Sequence, residues 1–255
     1  MVRGLENFKE WFEGYADQYI IIGGTACSIL MEEDNRLFRA TKDIDIILLA
    51  EVLTYEFGHR LWEYIKAGEY QHKNKSTGRP QFFRFTNPSS SEFPIMIELF
   101  SRRIDSLNLP DDITLTPIPF DDDLSSLSAI LVDDNYYNFM QSGKAIIDGV
   151  PVLDAAHLIP FKAKAWLDLS ARKEAGEPID NKNIRKHKND VFRLSILLTP
   201  ELTVSVTEVI KSDMDSFFSA IINEKVDLKA LGIENDNQEE VVEAISRVYY
   251  IDINK

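Results

Sequence analysis

The chain has 255 residues, 44% of them hydrophobic, with a single cysteine and a formal net charge of −14. That length can bury a full apolar core in one large domain or two modest ones. The acidic balance disfavours extended DNA binding, whose affinity comes from Lys and Arg displacing counterions, although it leaves room for a local anion site. One cysteine excludes an internal disulfide, no Cys/His set has zinc spacing, and charges interrupt every apolar window before it reaches the length of a membrane span. Residues 1–7 do not open a signal peptide, so the cytoplasm is the expected compartment.

In chain order, Tyr19-Ile20-Ile21-Ile22 is a β-branched run that stops at Gly23-Gly24 and gives way to Thr25-Ala26-Cys27-Ser28-Ile29-Leu30-Met31. This reads as strand, glycine turn and helix over 25–31, with Cys27 on the apolar side of the helix. Such a turn lets the backbone approach a ligand, and the first N–H groups of the helix favour an anion such as phosphate. The next strand, 44–49, lies in Lys42-Asp43-Ile44-Asp45-Ile46-Ile47-Leu48-Leu49. Alternation puts Asp43 and Asp45 on one face and Ile44, Ile46 and Leu48 on the other. Two hard oxygen ligands so placed suit Mg²⁺, which takes one or two carboxylates and fills its shell with water and phosphate oxygens. An isolated Asp-x-Asp is more often a solvated strand end; its coupling to the glycine turn gives the motif its weight.

A helix is expected over 55–67, and further strands over 82–86, 95–100, 113–118 and 127–132. Residues 73–80 and 87–91 read as loops, and Pro110-Asp111-Asp112 and Asp121-Asp122-Asp123 as turns. Residues 144–152 read as a hairpin through Asp148-Gly149. From Asp154 the period becomes helical, with helices expected over 155–173, 183–198, 204–222 and 239–249 and a break at Gly176-Glu177-Pro178. The expected architecture is a mixed α/β (α+β) fold. A sheet with flanking helices occupies 1–153 and a helical region 154–255.

Gly23-Gly24-Thr25-Ala26, the helix after it, and Arg39-Ala40-Thr41-Lys42-Asp43-Ile44-Asp45 resemble the signature of the polymerase-β-like nucleotidyltransferase superfamily, most closely the AbiE-type (type IV toxin–antitoxin) toxins. Glu98, in Pro94-Ile95-Met96-Ile97-Glu98-Leu99-Phe100, stands where the family carries a third acidic residue. Lys162 in Phe161-Lys162-Ala163-Lys164-Ala165 resembles the family's Lys-x-x-Ala helix. Lys188 and Asp190, in Lys186-His187-Lys188-Asn189-Asp190, resemble a later helix with an aspartate among basic residues. The matches span roughly residues 19 to 198, by the placement of the motifs.

The resemblance implies a catalytic and metal set of Asp43, Asp45 and Glu98 holding Mg²⁺ or Mn²⁺. Gly23, Gly24, Thr25, Arg39, Lys162, Lys188 and Asp190 would form the nucleotide site. The reaction would be transfer of NMP from an NTP to a hydroxyl acceptor, an RNA 3′ end or a small molecule. A cognate antitoxin would be a further partner, and neither a membrane nor extended DNA is expected. Two other readings stay open: an antibiotic-type small-molecule nucleotidyltransferase, and a binding module that keeps the fold without the transfer. Local readings also remain. Arg39 suits a nearby salt bridge, Lys162 and Lys164 suit the wet side of a helix, and Lys182, Arg185, Lys186, His187 and Lys188 suit a solvated face. For Glu98 the local reading is an outward strand residue beside Arg102 and Arg103, which its apolar flanks disfavour.

Overall fold

Six short strands pair into one mixed sheet in this computed structural model, which describes residues 2–49, 51–71, 84–100, 130, 133–222, 224–234 and 237–249. The strands are β1 Tyr19–Ile22, β2 Asp43–Leu48, β3 Arg84–Thr86, β4 Met96–Phe100, β5 Lys144–Ile147 and β6 Val150–Leu153, in spatial order β3-β4-β2-β1-β6-β5. β1 runs antiparallel to β2 and parallel to β6, while β2 and β4 run parallel. The outer pairs β3–β4 and β5–β6 are antiparallel. The last is the expected hairpin: Asp148 and Gly149 both take positive φ, 47° and 78°, as a two-residue primed turn requires.

Alternation sorts this sheet into two faces. On one, Tyr19, Ile21, Ile44, Ile46, Leu48, Phe85, Ile97 and Leu99 are all buried. Helices α1, Leu5–Trp11, and α3, Tyr55–Ala67, cover it, with Phe8, Phe12 and Phe57 all in ring contact with Tyr19. The other face carries the acidic residues. Thr54 caps α3 by accepting from the Phe57 N–H at 3.2 Å, which fixes its start where the sequence places it. Helix α2, Gly23–Glu33, begins directly at the end of β1.

The chain divides into two compact units, Met1–Leu124 with Lys144–Leu153, and Ser125–Gly143 with Asp154–Lys255. The second holds α4 Asp134–Ser142, α5 Ala155–Glu174, α6 Asn181–Leu194, α7 Glu208–Ile221 and α8 Gln238–Val248. Helix α5 is its axis, buried from Ala155 through Ala163. Pro160 lies within α5, so the carbonyl four residues back, on Ala156, loses its helical donor. Tyr249, beyond the end of α8, supplies the missing bond: its hydroxyl donates to Ala156 O at 2.5 Å.

Several boundaries differ from the expectations. The helix expected over 183–198 ends at Leu194 and tightens into a 3₁₀ turn over Ser195–Leu197. The helix expected from 204 starts at Glu208, capped by Thr207, because Val204 pairs its N–H with Val248 O at 2.8 Å instead. Helices α1 and α4 were not anticipated, and Ile130, inside the expected strand 127–132, is helical. The rest of that strand, the strand 113–118, residues 82–83, the loop 73–80 and the two Asp-rich turns lie outside the described residues. Among the described residues no helix is long and apolar enough to cross a membrane.

Candidate active site

Asp45 lies at the centre of the acidic face, because its strand neighbours are Ile22 at the end of β1 and Glu98 on β4. Asp43 is two residues back on the same face, and both aspartates are half-buried. Three carboxylate residues and the glycine turn therefore occupy one end of three adjacent strands. Parallel pairing of β2 with β4 produces this, since it sets Glu98 level with Asp45.

The turn is shaped around Asp45. Gly23 has φ +69°, and a Cβ there would fall 1.8 Å from Asp45 Oδ2, so only glycine lets the carboxylate lie against the start of α2. The Ncap residue, Ile22, provides no side-chain cap, and the helix dipole at this end favours negative charge on Asp45 or on a bound anion. A Cβ on Gly24 would lie 2.8 Å from Thr41 Oγ1 and 3.4 Å from Arg39 Nη2. Thr25, fully buried, donates its hydroxyl to Asp43 O at 2.5 Å, and Cys27 Sγ donates to Gly23 O at 3.1 Å. The Thr25 bond ties α2 to the first residue of β2, and the Cys27 bond lies within the first turn of α2 itself. Gly23, Gly24, Thr25, Arg39, Asp43, Asp45 and Glu98 are thus gathered in the first unit.

Glu98 has a partner that the sequence reading missed. Arg84, its cross-strand neighbour on β3, donates Nε to Glu98 Oε1 at 2.6 Å, and the Glu98 side chain is only 13% exposed. Arg102 and Arg103, the expected neighbours, lie outside the described residues. No pattern in the sequence marks Arg84, because its role depends on the register of β3 against β4.

The donor chemistry on this face fits a hard divalent cation through the two aspartates. Mg²⁺ needs no more than one or two protein carboxylates when phosphate oxygens and water complete its octahedron. Among the described residues no three acidic, His or Cys side chains converge tightly enough to hold a metal ion. Glu98 in this arrangement is a carboxylate held beside the aspartates by a guanidinium.

The remaining candidates belong to the second unit. Lys162 on α5 is 5% exposed and meets the fully buried Asp190 of α6 at 3.2 Å, with Arg193 at 3.6 Å from the same carboxylate. This is a buried ion cluster joining two helices. Lys188 pairs with Glu224, and Lys164 donates to Asp213 at 2.7 Å. Of the cluster expected on a solvated face, Lys182, Arg185 and Lys186 are exposed, whereas His187 and Lys188 are half-buried.

The sequence matches no protein-family model and no curated protein.

Proposed function

We propose that the chain is a metal-dependent nucleotidyltransferase of the polymerase-β-like kind, acting from an NTP on a hydroxyl acceptor, with a toxin of the AbiE type as the closest model for its role. The observation that carries this reading is the fit of Gly23 to Asp45: a left-handed glycine whose absent Cβ is replaced by a carboxylate, at the start of a helix and level with a second acidic strand. A purely structural turn has no need of a half-buried charge at that place.

Asp43 and Asp45 would hold the divalent ion, which when bound neutralises phosphate charge and orients the α-phosphorus. The Gly23-Gly24 turn and the first N–H groups of α2 would receive the β- and γ-phosphates, with Arg39 beside Gly24 adding a positive charge. The Glu98 carboxylate, aimed by Arg84, would take the proton of the attacking hydroxyl. As the acceptor oxygen bonds to the α-phosphorus, the bond to the bridging oxygen breaks and pyrophosphate leaves. An acceptor in the cytoplasm, an RNA 3′ end or a small molecule, fits an acidic surface better than a long duplex.

A second reading, a nucleotide-binding module without transfer, draws support from the Arg84–Glu98 bond, which ties up the candidate base. Thermal melts with Mg²⁺ and NTP test the site common to both readings. The wild type should be stabilised by mass action, and Asp45→Asn should lose most of the rise; equal rises would place the nucleotide elsewhere.

A further inference from the structure

Outside the acidic face, the second unit contains a nucleophile, a base and a carboxylate in hydrogen-bond sequence. Ser142, at the last position of α4, has its Oγ 3.1 Å from Nε2 of His157 on the first turn of α5. The other ring nitrogen, Nδ1, is 2.8 Å from Oδ1 of Asp154, the residue that caps α5. With the Nδ1 proton donated to Asp154, Nε2 presents its lone pair to the serine hydroxyl.

The imidazole is held by packing as well as by its two hydrogen bonds. Phe139 lies over it at 4.4 Å between centroids, and Gly143 lies so close that a Cβ there would fall 2.1 Å from His157 Cγ. Asp154 is anchored in turn by the His157 N–H at 2.8 Å and by its own N–H, which donates to Gly143 O at 2.9 Å. His157 is 8% exposed, whereas Ser142 is open to solvent. A buried, oriented base under an accessible hydroxyl is the arrangement that activates a serine. Capping of α5 needs only the Asp154 carboxylate and does not call for a ring nitrogen on Ser142.

We propose that Ser142, His157 and Asp154 form an activated nucleophile that takes an acyl group from an activated ester, a function separate from nucleotidyl transfer. Ser142 Oγ bonds to the carbonyl carbon as its proton passes to His157 Nε2. The bond from that carbon to the leaving oxygen breaks, and the proton leaves with the alcohol. Asp154 holds the ring in the required tautomer and faces the imidazolium as it forms. The hydroxyl donates to Phe139 O at 2.7 Å, so its one proton must turn from that carbonyl to His157 Nε2, 3.1 Å from the same oxygen, as the bond to carbon forms.

Ser216 provides a matched internal control. It is likewise an exposed helical serine donating to a backbone carbonyl, Ser212 O at 2.8 Å, and among the described residues no histidine bonds to it. The full chain is treated with a p-nitrophenyl ester and, separately, with a fluorophosphonate, and each modified serine is located and timed by mass spectrometry. Ser142 should react roughly 10²-fold faster than Ser216, the gain expected of a positioned general base. Asp154→Asn keeps an oxygen to cap α5, so the protein should still fold, and the Ser142 rate should drop at least tenfold. His157→Gln should bring it down to the Ser216 rate. A Ser142 rate in the wild type no higher than that of Ser216, or an unchanged rate in folded Asp154→Asn, would overturn the proposal.

Discussion

At Gly23 a single hydrogen atom decides whether the Asp45 carboxylate can reach the start of α2. Gly23→Ala should therefore have two effects. The left-handed φ of +69° costs an alanine about 1–2 kcal/mol, and the new methyl group must displace Asp45 Oδ2. Denaturant unfolding should show a loss of at least that size, and nucleotide-dependent stabilisation should vanish with it. The glycine turn and the Asp-x-Asp strand were legible because each is a short local pattern, and strand alternation alone puts both aspartates on one face. Arg84 was not legible. Its bond to Glu98 depends on which residue of β3 lies opposite β4, and nothing local to residues 82–86 encodes that pairing.

Helix α3 was readable to the residue, since Thr54 is a good cap and the apolar positions Phe57, Leu61, Tyr64 and Ile65 repeat at helical spacing. Helix α4 was not, because Tyr136, Tyr137 and Phe139 are residues that favour strands and only burial of all three in the second unit makes a helix of them. Tertiary context also removed one of the two readings of Lys162: on sequence it suited a wet helix face as well as the nucleotide site, and in the fold it is buried against Asp190. Lys162→Met keeps the aliphatic stem but removes a cation facing a fully buried carboxylate. It should cost about 3 kcal/mol in urea unfolding, whereas Lys182→Met on the exposed face of α6 should stay within about 0.5 kcal/mol. Similar small losses for both would mean that the α5–α6 cluster contributes no more than a surface pair.

For the whole molecule, burial of tyrosines links stability to high pH in both units. Burial raises the hydroxyl pKa of Tyr19, Tyr64 and Tyr70 in the first unit and of Tyr136 and Tyr249 in the second above the ordinary value of 10.0. In the folded state each keeps a proton that the unfolded chain releases near pH 10. Their contribution is complete below pH 10 and is lost as pH climbs from there toward the folded values, at about 1.4 kcal/mol per pH unit for each tyrosine. Melting temperature should be flat from pH 8 to pH 9.5 and fall steeply above pH 10. The mixed α/β class was legible from the change of period at Asp154. The strand order β3-β4-β2-β1-β6-β5 was not, because it is fixed by long-range pairing, with β6 joining β1 across more than a hundred residues.

Transfer itself tests the assignment of Asp43 and Asp45 most directly. Each of the four NTPs, labelled at the α-phosphate, is incubated with Mg²⁺ and the protein against total RNA, a protein lysate and a panel of small hydroxylated molecules. A nucleotidyltransferase acting through Asp45 puts label in one of these pools, releases pyrophosphate stoichiometrically, and loses both in Asp45→Asn with the fold intact. Label in no pool with any NTP, or equal label from the wild type and Asp45→Asn, would contradict it.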